Sequence, residues 1–165
     1  MPDTIDGLPL HPLVVHAVVV LLPLAVLGVA ALAIRPSLRD RFGSLVVGVA
    51  ALATVAIPIA TSTGEDLEHR VGDPGEHAQL GDTLIWYALP LLAVAVALVW
   101  SHRRTRTDGE ERTGKPGRGT TGVVLSALAL VIAAANLVQV YRVGDSGARA
   151  VWDNTPAAST RGPGR

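Results

Sequence analysis

Polar and apolar positions along this chain segregate into long blocks instead of alternating. Four apolar stretches occupy about residues 12–34, 43–63, 80–100 and 119–142. Each is close to the roughly 20 residues that a helix needs to cross a bilayer core. No Asp, Glu, Lys or Arg falls within 13–34, 43–63, 83–101 or 119–141. The pattern predicts four membrane-spanning helices. The fold class expected is therefore all-α: an integral membrane antiparallel four-helix bundle, with short links joining sequential neighbours. Residues 1–152 form the expected four-helix domain. The link 101–118, mixed in charge and rich in Gly, Thr and Pro, reads as flexible, and 153–165 as a disordered tail.

Punctuation inside the stretches refines this picture. Pro12 suits the first turn of the first helix, where its missing N–H costs nothing. It also biases His11 toward an extended backbone. Pro23, Pro58 and Pro90 fall inside spans, where each kinks its helix or frees a carbonyl. Gly28, Ala31, Gly48, Ala51, Ala127 and Ala134 are small enough to allow close helix approach. Gly144 offers a stop for the fourth helix, with Val151 and Trp152 beyond it free to dock on the surface. The first stretch has no basic residue before it and exceeds the length of a leader's apolar region, so it reads as a retained span.

Composition sharpens the class. Only 17% of residues are charged, against about a quarter in a soluble domain. The formal net charge of zero conceals a split. The links 35–42 and 101–118 hold nine basic and four acidic residues, and the rest of the chain five and ten. Basic links stay cytoplasmic, which places both termini and the 64–79 loop outside. A multi-pass protein of the bacterial cytoplasmic membrane is the expected location. Trp86, Tyr87, Trp100 and Tyr141 stand near span ends, as interfacial anchors do. There is no cysteine, which excludes disulfides and iron–sulfur ligation by this chain. No Gly-rich phosphate loop, nucleophile–base pair or HExxH appears, so an enzyme is not the expectation. The lipid bilayer is the expected partner, with a redox or other membrane protein beside it; nothing points to nucleic acid.

The remaining chemistry gathers at the outer ends of the spans. His11, His16, His69 and His77 lie there, whereas His102 sits beside cytoplasmic arginines and reads as solvated. His16 is the one ionisable side chain within the first stretch, and such groups usually face a bundle interior. His11 and His16 do not share a helix face, since five residues turn a helix by about 140°. The 64–79 loop carries Glu65, Asp66, Glu68, His69, Asp73, Glu76 and His77. Glu65 and His69 share a face if the second helix runs past Gly64. Asn136 and Gln139, i and i+3 on the fourth helix, suit interhelical hydrogen bonds or a polar ligand or quinone lining.

"GLPLHPLVVHAVVVLLPLA", "TSTGEDLE", "GEHAQLGD" and "VGDSGARAVW" together resemble the bacterial membrane family called domain of unknown function 2231, over about residues 5–152. The resemblance implies a four-span bundle. Some relatives are joined to Rieske or cytochrome domains, which implies a link to electron transfer. His11, His16 and His77 match recurring histidines of the family pattern, which often has a fourth histidine where this chain has Asp145.

Three functional readings follow. The first is a haem b-binding electron-transfer subunit, with His16 and His77 as axial ligands and Asn136 and Gln139 nearby. The second is an extracytoplasmic zinc- or copper-binding protein using His11, His16, His77, Glu65 and Asp145. The third is an accessory or structural membrane subunit whose histidines only tie loop backbone to the bundle.

Overall fold

The architecture comes from a computed structural model, which describes residues 4–5, 8–71, 75–109 and 120–152. A two-residue antiparallel ribbon, β1 (Thr4–Ile5) and β2 (Leu8–Pro9), precedes four long helices. These are α1 (Leu10–Ile34), α2 (Leu38–Val71), α3 (Glu76–Gly109) and α4 (Thr120–Trp152). The all-α bundle expected from the sequence is the fold. All four helices contain a stretch long and apolar enough to cross a membrane.

The helices outrun the apolar stretches. α2, at 34 residues, is about 50 Å long at 1.5 Å per residue, well beyond a hydrocarbon core of about 30 Å. Its last turns carry the polar segment after Gly64, and most of the supposed 64–79 loop is therefore helical. Gly75, with φ of 65°, takes the left-handed conformation immediately before α3. At the other end, α3 continues through 101–109, while 110–118 and the tail 153–165 lie outside the described residues. Gly144 does not end α4, which runs on to an exposed Trp152 that docks on nothing described. One glycine costs a helix about 1 kcal/mol, too little to break one held by packing on both sides of it.

Each helix packs on its sequence neighbour, and α4 closes the ring against α1. α1 and α3 also touch across the centre and carry most of the core. Leu22, Ala25, Val29 and Leu32 of α1 meet the bundle axis with Ala88, Leu91, Ala95 and Leu98 of α3. The outward faces are apolar too, as lipid requires: Val20, Leu27, Leu52, Val124 and Val131 are exposed. Two glycines set close approaches. A Cβ on Gly28 would stand 2.8 Å from Val46 Cγ2, and one on Gly43 2.7 Å from Val99 Cγ2. Gly28 thus does what the sequence suggests. Ala127 and Ala134 instead face outward, and the buried small residues of α4 are Ala129 and Ala133.

The turn between α1 and α2 is sealed by a residue that charge counting treats only as a topological signal. Pro36 has no N–H to offer the carbonyl of Leu32, four residues back. Arg39, 5% exposed, donates from Nε to that oxygen at 2.9 Å and from Nη2 to Ser126 Oγ at 2.8 Å. One guanidinium thus joins the end of α1, the start of α2 and the flank of α4. Beside it, His102 Nε2 lies 3.2 Å from Asp40 Oδ1, linking α3 to α2. His102 is half-buried beside Asp40 instead of solvated, because α3 extends far enough to reach the α2 start.

Candidate functional site

The candidate site is built from the first turns of α1 and α3 and the late turns of α2 and α4, all at one end of the bundle. His11 is the second residue of α1. Its helical placement overrides the extended bias imposed by Pro12, because the ring is held by the neighbouring helix. Nδ1–H donates to the Ala60 carbonyl at 3.1 Å and approaches Thr63 Oγ1 at 3.3 Å. The ring lies over Gly64, where a Cβ would come within 3.0 Å of His11 Cε1.

The second hairpin repeats this clasp. His77 is the second residue of α3. Its Nδ1–H donates to the Val143 carbonyl at 3.2 Å and approaches Ser146 Oγ at 3.4 Å. A Cβ on Gly147 would meet His77 Cε1 at 3.0 Å and Nδ1 at 3.1 Å. In both clasps a histidine rests on a glycine, bonding the carbonyl four residues before it and the hydroxyl one before it. A carbonyl oxygen only accepts, so the neutral ring keeps its proton on Nδ1 and its lone pair on Nε2. The hydroxyls are themselves spent on their own helices: Thr63 donates to Ile59 at 2.9 Å and Ser146 to Val143 at 2.9 Å.

The repetition extends through the helices. Core positions Val18, Leu22, Ala25, Val29, Leu32 and Ala33 recur 66 residues on as Leu84, Ala88, Leu91, Ala95, Leu98 and Val99, the spacing of His11 and His77. Ala50 and Ala53 of α2 recur 83 residues on as Ala133 and Asn136, the spacing of Gly64 and Gly147. The bundle is thus two similar clasped hairpins side by side.

The same register places His16. It lies 66 residues before Asp82, and both are exposed on the outward faces of their helices. His16 donates from Nδ1 to the Pro12 carbonyl of its own helix. It does not face the bundle interior as expected. At this depth the equivalent position carries a carboxylate, which marks the polar border of the bilayer, where an imidazole costs little.

Asn136 and Gln139 do face inward, 1% and 2% exposed. Asn136 Nδ2 donates to Tyr87 O at 3.0 Å and to Ile132 O at 2.9 Å. Gln139 Nε2 donates to Thr83 Oγ1 at 2.7 Å and to Leu80 O at 3.3 Å. The two amides therefore run down the α3–α4 seam. Asn136 Oδ1 is buried with no donor among the described residues, an arrangement that costs roughly 1–3 kcal/mol if nothing meets it.

The other candidates stay apart. Glu65 is exposed on α2. Asp145 is engaged by Arg149 one turn on, at 3.0 Å from both Nε and Nη2. His69 has no described side chain. Among the described residues no three His, Asp or Glu side chains gather as a metal-binding group. A haem held axially by both His16 and His77 fits this donor set poorly, since His16 points outward; the clasp itself occupies only Nδ1 of His77 and leaves Nε2 able to ligate. Sequence reasoning missed Gly64, Gly147 and their hydroxyl neighbours. The available signal was the recurrence of a Thr-Gly or Ser-Gly pair downstream of each helix-initiating histidine.

No curated protein and no solved structure matches the chain. The family described as "Predicted membrane protein (DUF2231)" matches over residues 7–158, which takes in all four helices and both clasps. The chain therefore belongs to the DUF2231 family of membrane proteins.

Proposed function

We propose that this multi-pass membrane protein is an accessory or structural subunit of the bacterial cytoplasmic membrane, with its histidines serving to lock two helical hairpins. The observation that carries the reading is the pair of clasps. In each, the imidazole Nδ1 is committed to a helix carbonyl and the ring is seated on a glycine. Such a pair by itself holds helix ends in place. The outward position of His16 and the Asp145–Arg149 pair favour this reading over a haem or metal centre built from these residues. The charge split favours clasps on the outer side and Arg39 on the cytoplasmic side.

The test is purification in mild detergent from haem- and metal-replete cells, followed by an optical spectrum, metal analysis and cross-linking mass spectrometry. The expected result is no Soret band, no stoichiometric zinc or copper, and a reproducible membrane-protein partner. A Soret band or an equimolar metal that disappears in His77→Ala would overturn the proposal. Repeated recovery of the isolated chain would count against a subunit role.

A further inference from the structure

The similarity of the two hairpins makes their differences informative. Ala53, fully buried, and Asn136 occupy equivalent places, one on α2 and one on α4. Alanine closes the seam in the first hairpin, so the fold does not require an amide there. The second hairpin nevertheless carries one inside its apolar stretch, about two turns short of Arg142, where an uncompensated polar group is unwelcome.

The orientation of that amide is fixed. Its two N–H groups meet two carbonyl oxygens, one from Tyr87 on α3 and one from Ile132 on its own helix. Turning the amide over would set Oδ1 against both carbonyls. Oδ1 is therefore held as an acceptor, buried, with no donor among the described residues. The donors nearest along the seam are engaged: Gln139 Nε2 with Thr83 and Leu80, and the Thr83 hydroxyl with Leu80 O at 2.7 Å. Pro90 has no N–H for the Trp86 carbonyl, the one next to that of Tyr87.

We infer that Asn136 Oδ1, at the α3–α4 seam, is a binding point for an O–H donor that enters the bundle. The shared chemistry is a single neutral hydroxyl, supplied either by an internal water or by a hydroxylated apolar molecule such as a quinol. This site is independent of the clasps and of the subunit role proposed above.

The experiment uses the full chain, labelled with 13C and 15N, in lipid bilayers. Water-edited solid-state NMR compares the Asn136 side chain with Ala53, its equivalent at similar depth. The same sample is then titrated with trimethylhydroquinone. An internal water predicts several-fold faster transfer of water magnetisation to Asn136 than to Ala53, with no response to the hydroquinone. A hydroxylated ligand predicts a saturable shift of the Asn136 Cγ and Nδ2 signals that Gln139 shares and Ala53 does not. Equal, slow transfer at both positions together with no hydroquinone shift overturns the inference. Because the comparison is made within the wild-type protein, no variant needs to fold for it to be read.

Discussion

The effect of Gly147→Ala depends on what stands at position 77, and this provides the sharpest test of the clasp. In a helix interior alanine is favoured over glycine by about 0.5–1 kcal/mol. At Gly147 that gain is opposed, because the new Cβ would lie 3.0 Å from His77 Cε1 and 3.1 Å from Nδ1. The ring must retreat by a few tenths of an ångström. The bond to Val143 O, already 3.2 Å, is then stretched out of range. Losing one such bond costs about 0.5–1.5 kcal/mol. The Val143 carbonyl is not orphaned, because Ser146 Oγ still donates to it at 2.9 Å. Gly147→Ala alone should therefore fall between about 0.5 kcal/mol stabilising and about 1 kcal/mol destabilising. His77→Ala alone should cost about 1–2 kcal/mol, the bond plus the packing of the half-buried ring. In the His77→Ala background the obstruction is gone and Gly147→Ala should stabilise by about 0.5–1 kcal/mol. The cycle thus has a coupling energy of about 0.5–1.5 kcal/mol, that of the lost bond. The assay is reversible unfolding in mixed micelles titrated with dodecyl sulfate, followed by tryptophan fluorescence. A coupling energy within about 0.3 kcal/mol of zero, inside the additivity of unconnected sites, would refute the clasp.

The first hairpin should repeat the result, with His11→Ala and Gly64→Ala coupled to a similar degree in the same titration. Gly28→Ala and Gly43→Ala should each destabilise by about 1–3 kcal/mol by overpacking: each new Cβ meets a valine, and valine in a helix has one strongly preferred rotamer. Arg39→Met should cost about 2–4 kcal/mol, since it removes two charge-assisted bonds and leaves the Leu32 carbonyl beside Pro36 without a donor. Arg39→Lys should recover part of that loss, and equal stability of Arg39→Met and wild type would disprove the role. The chain has no cysteine, so single cysteines report topology cleanly. In intact cells Ala148→Cys should react with a membrane-impermeant maleimide and Ser37→Cys should not, and the opposite pattern would invert the orientation.

Much of the architecture was legible in the sequence because a bilayer imposes few and severe rules. Four uncharged stretches of spanning length leave helices as the economical solution, and even spacing makes them antiparallel neighbours. Gly28 was readable as a close-approach residue and Asn136 and Gln139 as inward-facing, since polar amides in a span have nowhere else to go. The helix ends were not readable. Past Gly64 and Gly144 the composition turns polar, yet packing carries both helices onward. Polarity there records where the bilayer stops and says nothing about where the helix stops.

The candidate site shows the same division. That most of the histidines collect at one end of the spans was plain from position alone. Which way each ring faces depended on helix rotation, and in a membrane an outward residue and a core residue can both be apolar, so no stripe reveals it. The sequence points His16 inward and it faces out; it points His102 to solvent and the ring lies half-buried beside Asp40. The two-hairpin repeat was hidden for the same reason. α1 and α3 share burial at matching positions but few identical residues, and a longer α3 together with a longer link shifts the second spacing from 66 to 83 residues. The sequence by itself determined that the chain spans a membrane and how many times, because transfer into hydrocarbon is decided segment by segment. Only the tertiary structure decided that His11 and His77 are partners of Gly64 and Gly147, because a hydrogen bond across 49 or 66 residues depends on how helices rotate and slide against each other, and local composition leaves that free.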